Sequence, residues 1–193
     1  KKVLVGRGQL VEIGGGFRIP SILQQSGAPL VEVGTTNRTY VEDFAAAVDD
    51  DVACILWVHH SNFRQTGFVA EPTVAELATL GKLVIADLGA GALEPIDDEP
   101  TVFDVLRWGA DLVCFSADKL VGGPQAGIIV GDRALIDELR KHPLMRALRV
   151  DKVISAALLG TLDDHLVERL VPLQKMWLAG LPELRSEVVH WKD

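Results

Sequence analysis

Lys119 is the residue of this sequence whose type and setting best suit covalent chemistry. It lies between the apolar run 112–115 and a glycine-rich turn that leads into a second apolar run, 127–130. Both runs predict buried strands, so the lysine is expected at a strand end beside a sheet. A desolvated lysine amine in such a place forms Schiff bases with carbonyl compounds. An ordinary loop lysine is the alternative that this residue alone leaves open.

Other polar side chains follow predicted strands in the same way. They are Asp87 after residues 83–86, His59 and Asn62 after residues 53–58, and Ser116 after residues 112–115. Ligands of open parallel sheets bind beyond the carboxyl ends of the strands, where such residues converge. A pyridoxal phosphate site needs a lysine for the aldehyde carbon and an acid beside the pyridinium N–H. Jointly the residues predict that site, although Asp87 alone would also suit a helix cap and Ser116 a turn cap or a phosphate donor.

The elements that must position these residues alternate along the chain, which is typical of an α/β fold. Strands are predicted at residues 2–5, 30–33, 53–58, 83–86, 112–115 and 127–130. Helices are predicted at residues 20–25, 41–48, 73–80, 102–108 and 133–141. We therefore expect a mostly parallel sheet flanked by helices.

The pattern changes after residue 142, where helical spacing continues without a strand. One long helix is predicted over residues 150–170, and a second from about residue 173, broken near residues 180–182. We interpret residues 1–142 as the central part of a large domain and residues 143–193 as an interdomain helix with the start of a small domain. The chain enters directly on a strand and stops without one, so we expect a section of a longer polypeptide.

Composition narrows the classes of function. The 193 residues are 48% hydrophobic and 24% charged, which predicts a folded globule, expected in the cytoplasm because no apolar run is long enough for a bilayer. Cys54 and Cys114 lie in apolar runs and are expected in the core rather than in a disulfide or a metal site. The net charge of −8 argues against a surface that coats nucleic acid, although residues 133–152 form a local basic stretch.

Six blocks, in order, resemble bacterial selenocysteine synthase, the L-seryl-tRNA(Sec) selenium transferase family. They are residues 7–20, 32–39 (EVGTTNRT), 61–64 (SNFR), 87–89 (DLG), 118–127 (DKLVGGPQAG) and 142–152 (HPLMRALRVDK). The resemblance extends from about residue 2 to residue 166. It implies the large domain of a fold-type-I pyridoxal phosphate transferase, related to aspartate aminotransferase.

The resemblance also implies a reaction and roles for residues. Lys119 matches the lysine that holds the cofactor, and Asp87 matches the partner of the pyridine nitrogen. In this family the seryl group on tRNA(Sec) loses its α-proton and then water, and selenium from selenophosphate adds to the aminoacrylyl intermediate. Arg146 and Arg149 match arginines that hold the selenium donor, a role that suits a planar guanidinium with paired N–H donors.

Several points stay open in the sequence. His59 or His60 would stack on or bond to the cofactor, or would simply be satisfied strand-end histidines. Asn62 would reach the phenolic oxygen of the cofactor, by analogy with the superfamily. Further residues, namely Arg18, Asn37 and Arg38, are expected at a subunit interface or at the acceptor end of the tRNA.

The sequence departs from the family pattern in several places. Ala117 stands where the family is expected to have glycine. The N-terminal tRNA-binding region, much of the phosphate cup and most of the small domain are missing from the matched blocks, so the isolated fragment is expected to be inactive.

The resemblance also implies a homo-oligomer, either a dimer or a ring of dimers. The alternatives are a related lyase acting on a small amino acid or amino sugar, and a non-catalytic fragment that contributes to oligomer assembly.

Overall fold

The structure is a computed structural model, and it describes residues 1–180. The strands are β1 (Lys2–Gly6), β2 (Glu12–Ile13), β3 (Phe17–Arg18), β4 (Leu30–Val33), β5 (Val52–Val58), β6 (Leu83–Gly89), β7 (Leu112–Ser116) and β8 (Gly127–Gly131). The α-helices are α1 (Ile19–Gln25), α2 (Val41–Ala47), α3 (Val74–Ala78), α4 (Val102–Arg107), α5 (Arg133–Lys141), α6 (Leu144–Leu148), α7 (Lys152–Leu166) and α8 (Pro172–Leu178).

Six of the strands form one sheet in the order β4-β1-β5-β6-β7-β8. All neighbours are parallel except β7 and β8, which are antiparallel. Only residues 117–126 connect β7 to β8, which is shorter than the dozen or more residues that a parallel crossover requires. The five parallel strands therefore all end on the same side of the sheet, which we call the carboxyl edge. These strands are β4, β1, β5, β6 and β7, and the Lys119 turn lies at the carboxyl edge.

The core lies between the sheet and the helices that cover it. Leu4, Ile55 and Val84 from the sheet are fully buried, as are Phe44 of α2 and Leu77 of α3. Thr73 and Thr101 begin α3 and α4 by accepting the N–H groups of the third helical residues, which fixes where these helices start. Within residues 1–180 no helix combines the length and the apolar character that crossing a membrane would require.

All six predicted strands are present, and the predicted α/β fold with a mostly parallel sheet is confirmed. The predicted long helix is shorter than expected: α7 begins after Asp151, whose carboxylate accepts the N–H of Ile154, and it ends at Leu166. The small hairpin of β2 and β3 and the five-residue α6 were not predicted. The predicted helix break at residues 180–182 extends outside the described residues, and the division at residue 142 stays a prediction.

Candidate active site

The turn that carries Lys119 is closed by its own backbone. Ala117 N–H donates to the carbonyl of Ala126 at 2.8 Å, and Gly123 N–H donates to the carbonyl of Ala117 at 2.8 Å. Leu120 N–H reaches the carbonyl of Ala90 at 3.1 Å, which ties the turn to the loop that follows β6. Ala117 is fully buried, whereas Lys119 is exposed in this chain. The backbone of the turn is thus fixed while the lysine side chain points into accessible space.

Asp87 lies near the carboxyl end of β6, opposite Cys114 of β7. Burial raises the pKa of the Asp87 carboxyl, while the N–H of Gly89, at 3.1 Å, and the charge of Lys119 act in the opposite direction. Burial, with a further contribution from Asp87, raises the pKa of the Cys114 thiol to about 11. At neutral pH the thiol is therefore uncharged, and Asp87 is the acidic group of this part of the sheet.

Gly89 keeps the space between the reactive groups free of side chain. Its φ is +64°, and a Cβ atom built there would lie 3.0 Å from Ser61 Oγ and 3.7 Å from Lys119 Nζ. A hydroxyl and an amine therefore converge on a backbone position two residues after Asp87. A flat pyridoxal ring requires an amine, an acid and a surface without side chain. Lys119, the half-buried Asp87 and Gly89 supply them, so the residues present fit this cofactor.

Ser61 is a member of this cluster that the sequence did not single out. Its signals in the sequence were a place after the predicted strand 53–58 and a place in the SNFR block, directly before Asn62. Gly91 shows how closely the loop after β6 approaches β7, because its φ is +72° and a Cβ atom there would collide with the ring of Phe115. Glycine is required at that position for both reasons.

The two histidines have different surroundings. His59 N–H donates to the carbonyl of Asp87 at 2.9 Å, while its ring bonds Glu99 at 3.0 Å and stacks on Trp57 at 5.8 Å. The ring of His60 instead bonds the carbonyl of Gly8 at 3.1 Å. The backbone of His59 is thus coupled to Asp87, and the His60 ring holds the loop that follows β1.

The other predicted site residues are exposed or half-buried. Asn62 is exposed in the turn after β5, and Ser116 is half-buried at the end of β7, opposite Gly127. Arg146 on α6 and Arg149 directly after it are both exposed. Within residues 1–180, no hydrogen bond or ion pair links these four side chains to Asp87 or Lys119.

Comparison with protein families gives a match over almost the whole chain. The family described as L-seryl-tRNA selenium transferase (SelA) matches residues 1–186. The L-seryl-tRNA(Sec) selenium transferase of Geobacter sulfurreducens is 50% identical over 198 aligned residues, which cover 96% of this chain and 43% of that protein. The enzyme of the same name from Mannheimia succiniciproducens is 47% identical and covers 100% and 44%. The chain thus spans a little under half the length of these relatives.

Solved structures show the same fold at low sequence identity. D-glucosaminate-6-phosphate ammonia-lyase superposes with a TM-score of 0.71 at 21% identity, covering 91% of this chain and 46% of that one. A variant of Thermus thermophilus aspartate aminotransferase gives 0.59 at 19% identity, covering 86% and 46%. The chain therefore has the aminotransferase-type α/β fold that the sequence predicts.

Proposed function

Because the chain belongs to the L-seryl-tRNA selenium transferase family, we propose that the full-length protein carrying it converts seryl-tRNA(Sec) to selenocysteinyl-tRNA(Sec). Selenophosphate is the proposed selenium donor, and pyridoxal phosphate is the proposed cofactor. The observation that carries the proposal is the convergence of Lys119 Nζ and the half-buried Asp87 around Gly89 at the carboxyl edge of the sheet. The chain spans 43% of a relative, so the activity is assigned to the longer protein.

Two side chains would hold the cofactor from opposite ends. Lys119 would bind its aldehyde carbon and Asp87 its ring nitrogen, with Ser61, Ser116, His59 and Asn62 available at the surrounding strand ends. When bound, pyridoxal phosphate withdraws electrons from the α-carbon of an attached amino acid.

Asp87 suits the ring nitrogen because its own charge is costly where it lies. Burial disfavours its carboxylate, and a protonated ring nitrogen would supply an opposite charge that offsets this cost. The pairing would keep the proton on the ring nitrogen, so that the ring stays electron-poor.

Lys119 suits proton transfer because its backbone is fixed and its amine is accessible. Beside the seryl group, the free amine would take the α-proton and deliver a proton to the departing hydroxyl, which leaves as water. Arg146 and Arg149 would then hold the selenium donor, since exposed guanidinium groups bind oxyanions through paired N–H donors.

The cofactor site is tested by borohydride reduction of the full-length protein, followed by peptide mass spectrometry. We expect the reduced cofactor on Lys119. The Lys119→Ala variant should carry no label, while the matched variant Lys141→Ala, which removes a lysine at the end of α5, should be labelled like the wild type. Label on another lysine of the wild type would refute the assignment.

The donor site is tested with Arg146→Ala combined with Arg149→Ala. We expect selenium transfer to be abolished while water loss from seryl-tRNA(Sec) continues, because the two residues are assigned to the second half of the reaction. Selenium transfer at the wild-type rate would show that the donor binds elsewhere. Water loss from free serine, without tRNA, would instead favour a small-molecule lyase.

We further propose that residues 143–193 lead from the large domain into a small domain and that the protein acts as a homo-oligomer. Sedimentation equilibrium of the full-length protein tests the second point. The mass of a single chain would contradict it.

A further inference from the structure

We propose that Arg38, Tyr40 and Phe68 form a binding site for the single-stranded 3′ end of an RNA, with Arg38 on a phosphate and the aromatic rings against bases. We call these three residues the arginine–aromatic cluster. The proposal rests on the proposed function, in which the substrate is a tRNA, and it assigns a place where that RNA is held.

The cluster stacks a cation on exposed rings. The guanidinium carbon of Arg38 lies 3.9 Å from the centroid of the Phe68 ring and 5.2 Å from that of Tyr40. Phe68 is 75% exposed and Tyr40 is 42% exposed. Accessible ring surface thus borders a guanidinium plane, and single-stranded RNA is recognised by stacking on aromatic rings and on arginine planes.

The two loops that carry the cluster are joined by backbone and side-chain hydrogen bonds. Thr39 N–H donates to the carbonyl of Ala70 at 2.9 Å, and Ala70 N–H donates to the carbonyl of Asn37 at 3.0 Å. The side-chain amide of Asn37 donates to the carbonyl of Phe68 at 2.7 Å. Arg38 and Phe68 are therefore held in register before any ligand binds, which lowers the entropy cost of binding.

Within residues 1–180, no carboxylate forms an ion pair with Arg38. Seven arginines in residues 1–180 form ion pairs with carboxylates: Arg7, Arg18, Arg64, Arg107, Arg133, Arg140 and Arg169. Within the same residues Arg38 has no such partner, and its buried Nε makes no hydrogen bond. The other unpaired arginines of residues 1–180, Arg146 and Arg149, are those assigned to an oxyanion. An unpaired, oriented guanidinium in an acidic protein is suited to a phosphate group.

The arginine–aromatic cluster lies at the carboxyl edge of the sheet, where Asp87 also lies. Arg38 and Tyr40 follow β4, whose carboxyl end shares that edge with β6. β4 and β6 are three strand positions apart in the sheet, a distance of about 14 Å at the usual spacing between neighbouring strands. An RNA whose seryl end lies at Lys119 would pass along this edge, so nucleotides close to the seryl group would meet the cluster.

The test measures binding of seryl-tRNA(Sec), and of a short single-stranded RNA with the sequence of the tRNA 3′ end, to the full-length holoprotein. We expect Arg38→Ala to weaken binding of both RNAs about tenfold, the range that loss of one phosphate or stacking contact produces. It should also reduce the slope of log affinity against log salt by about 0.7, the value for one phosphate contact on a single strand. Arg38→Lys should restore the salt slope but not the full affinity.

Two further variants complete the test. Phe68→Ala removes a ring that is 75% exposed, so it should leave folding intact and still weaken both RNAs, with an unchanged salt slope. Arg107→Ala, which removes an arginine that is 72% exposed and paired with Asp104, should change neither quantity.

Unchanged affinity and salt slope in Arg38→Ala and Phe68→Ala would overturn the proposal. If these variants changed the sedimentation mass of the protein but not its RNA affinity, the proposal would be overturned too, and the cluster would be assigned to a protein interface. A failure of the proposed function looks different: the wild type would then transfer no selenium, while the RNA affinity would still depend on Arg38.

Discussion

The Asp87 carboxyl connects the chemistry of the site to the stability of the fold. Its pKa is raised by burial, so the folded protein binds its proton more tightly than the unfolded chain does. The folded state is therefore destabilised as pH rises from the ordinary value of an aspartate through the raised value. This penalty remains at neutral pH for as long as no cation pairs with the carboxylate.

We therefore expect Asp87→Asn to stabilise the cofactor-free protein at neutral pH, because the amide carries no charge and its oxygen can still accept the Gly89 N–H. The gain in the free energy of unfolding should shrink as pH falls and vanish below the ordinary aspartate value, where both side chains are neutral. Urea unfolding across that pH range measures it. A difference that does not change with pH would show that the charge of Asp87 is not its cause.

At the scale of residues, the sequence predicts those site members that directly follow strands. Lys119 and Asp87 stand out because each combines a reactive group with a position at a strand end. Ser61 does not stand out, because a serine in a turn is common and only the fold brings its hydroxyl close to Gly89. The sequence also does not show that Arg38 lacks a carboxylate partner within residues 1–180, since ion pairing depends on which carboxylates the fold brings near.

Among the elements, α7 is joined to the turn that carries Lys119. The Nε2 atom of His165 lies 2.9 Å from the carbonyl of Val121, and the histidine side chain is only 9% exposed. The carbonyl oxygen can only accept, so Nε2 must carry the proton. Val121 is fully buried, which makes its carbonyl costly to leave without a donor.

Removing this donor should loosen the turn. We expect His165→Ala to lower the free energy of unfolding by about 1–3 kcal/mol, the cost of an unsatisfied buried polar group. It should also speed amide exchange at Gly123, whose N–H closes the turn on Ala117. His165→Gln, which retains an N–H donor on a side chain of similar reach, should recover most of both effects. Equal behaviour of the two variants would mean that packing, not the hydrogen bond, is responsible.

The elements that the sequence predicts well are those with long apolar runs. β5 and β6 have seven residues each, of which five are buried in β5 and three in β6, and both begin with apolar runs that the sequence shows directly. β2 and β3 have two residues each, all exposed, and α6 has five residues with none buried. Elements this short leave no periodicity to detect.

At the scale of the whole molecule, the order of the strands decides which residues meet. A single sequence predicts that β5, β6 and β7 are strands, but their adjacency depends on how crossovers pack, which a pattern of apolar residues does not encode. The antiparallel β8 follows from the short connection after β7. Side chains from β5, β6 and the β7–β8 turn thus come together although Ser61 and Lys119 are far apart in sequence.

The sheet that assembles the site depends on the helices packed against it, and Phe44 tests that dependence. Phe44 of α2 is completely buried in the main core, whereas Phe103 of α4 is 55% exposed. We expect Phe44→Ala to lower the free energy of unfolding by about 3–5 kcal/mol, because it removes buried apolar area and leaves a cavity.

Phe103→Ala, the same change on another short helix, should cost less than about 1 kcal/mol, because partial exposure means that few contacts are lost. Urea unfolding of the full-length protein compares the two. The borohydride label on Lys119 should be lost in Phe44→Ala at urea concentrations where Phe103→Ala still carries it, since Lys119 meets Asp87 only while the sheet is folded. Loss of the label at the same urea concentration in both variants would mean that the site does not depend on this core.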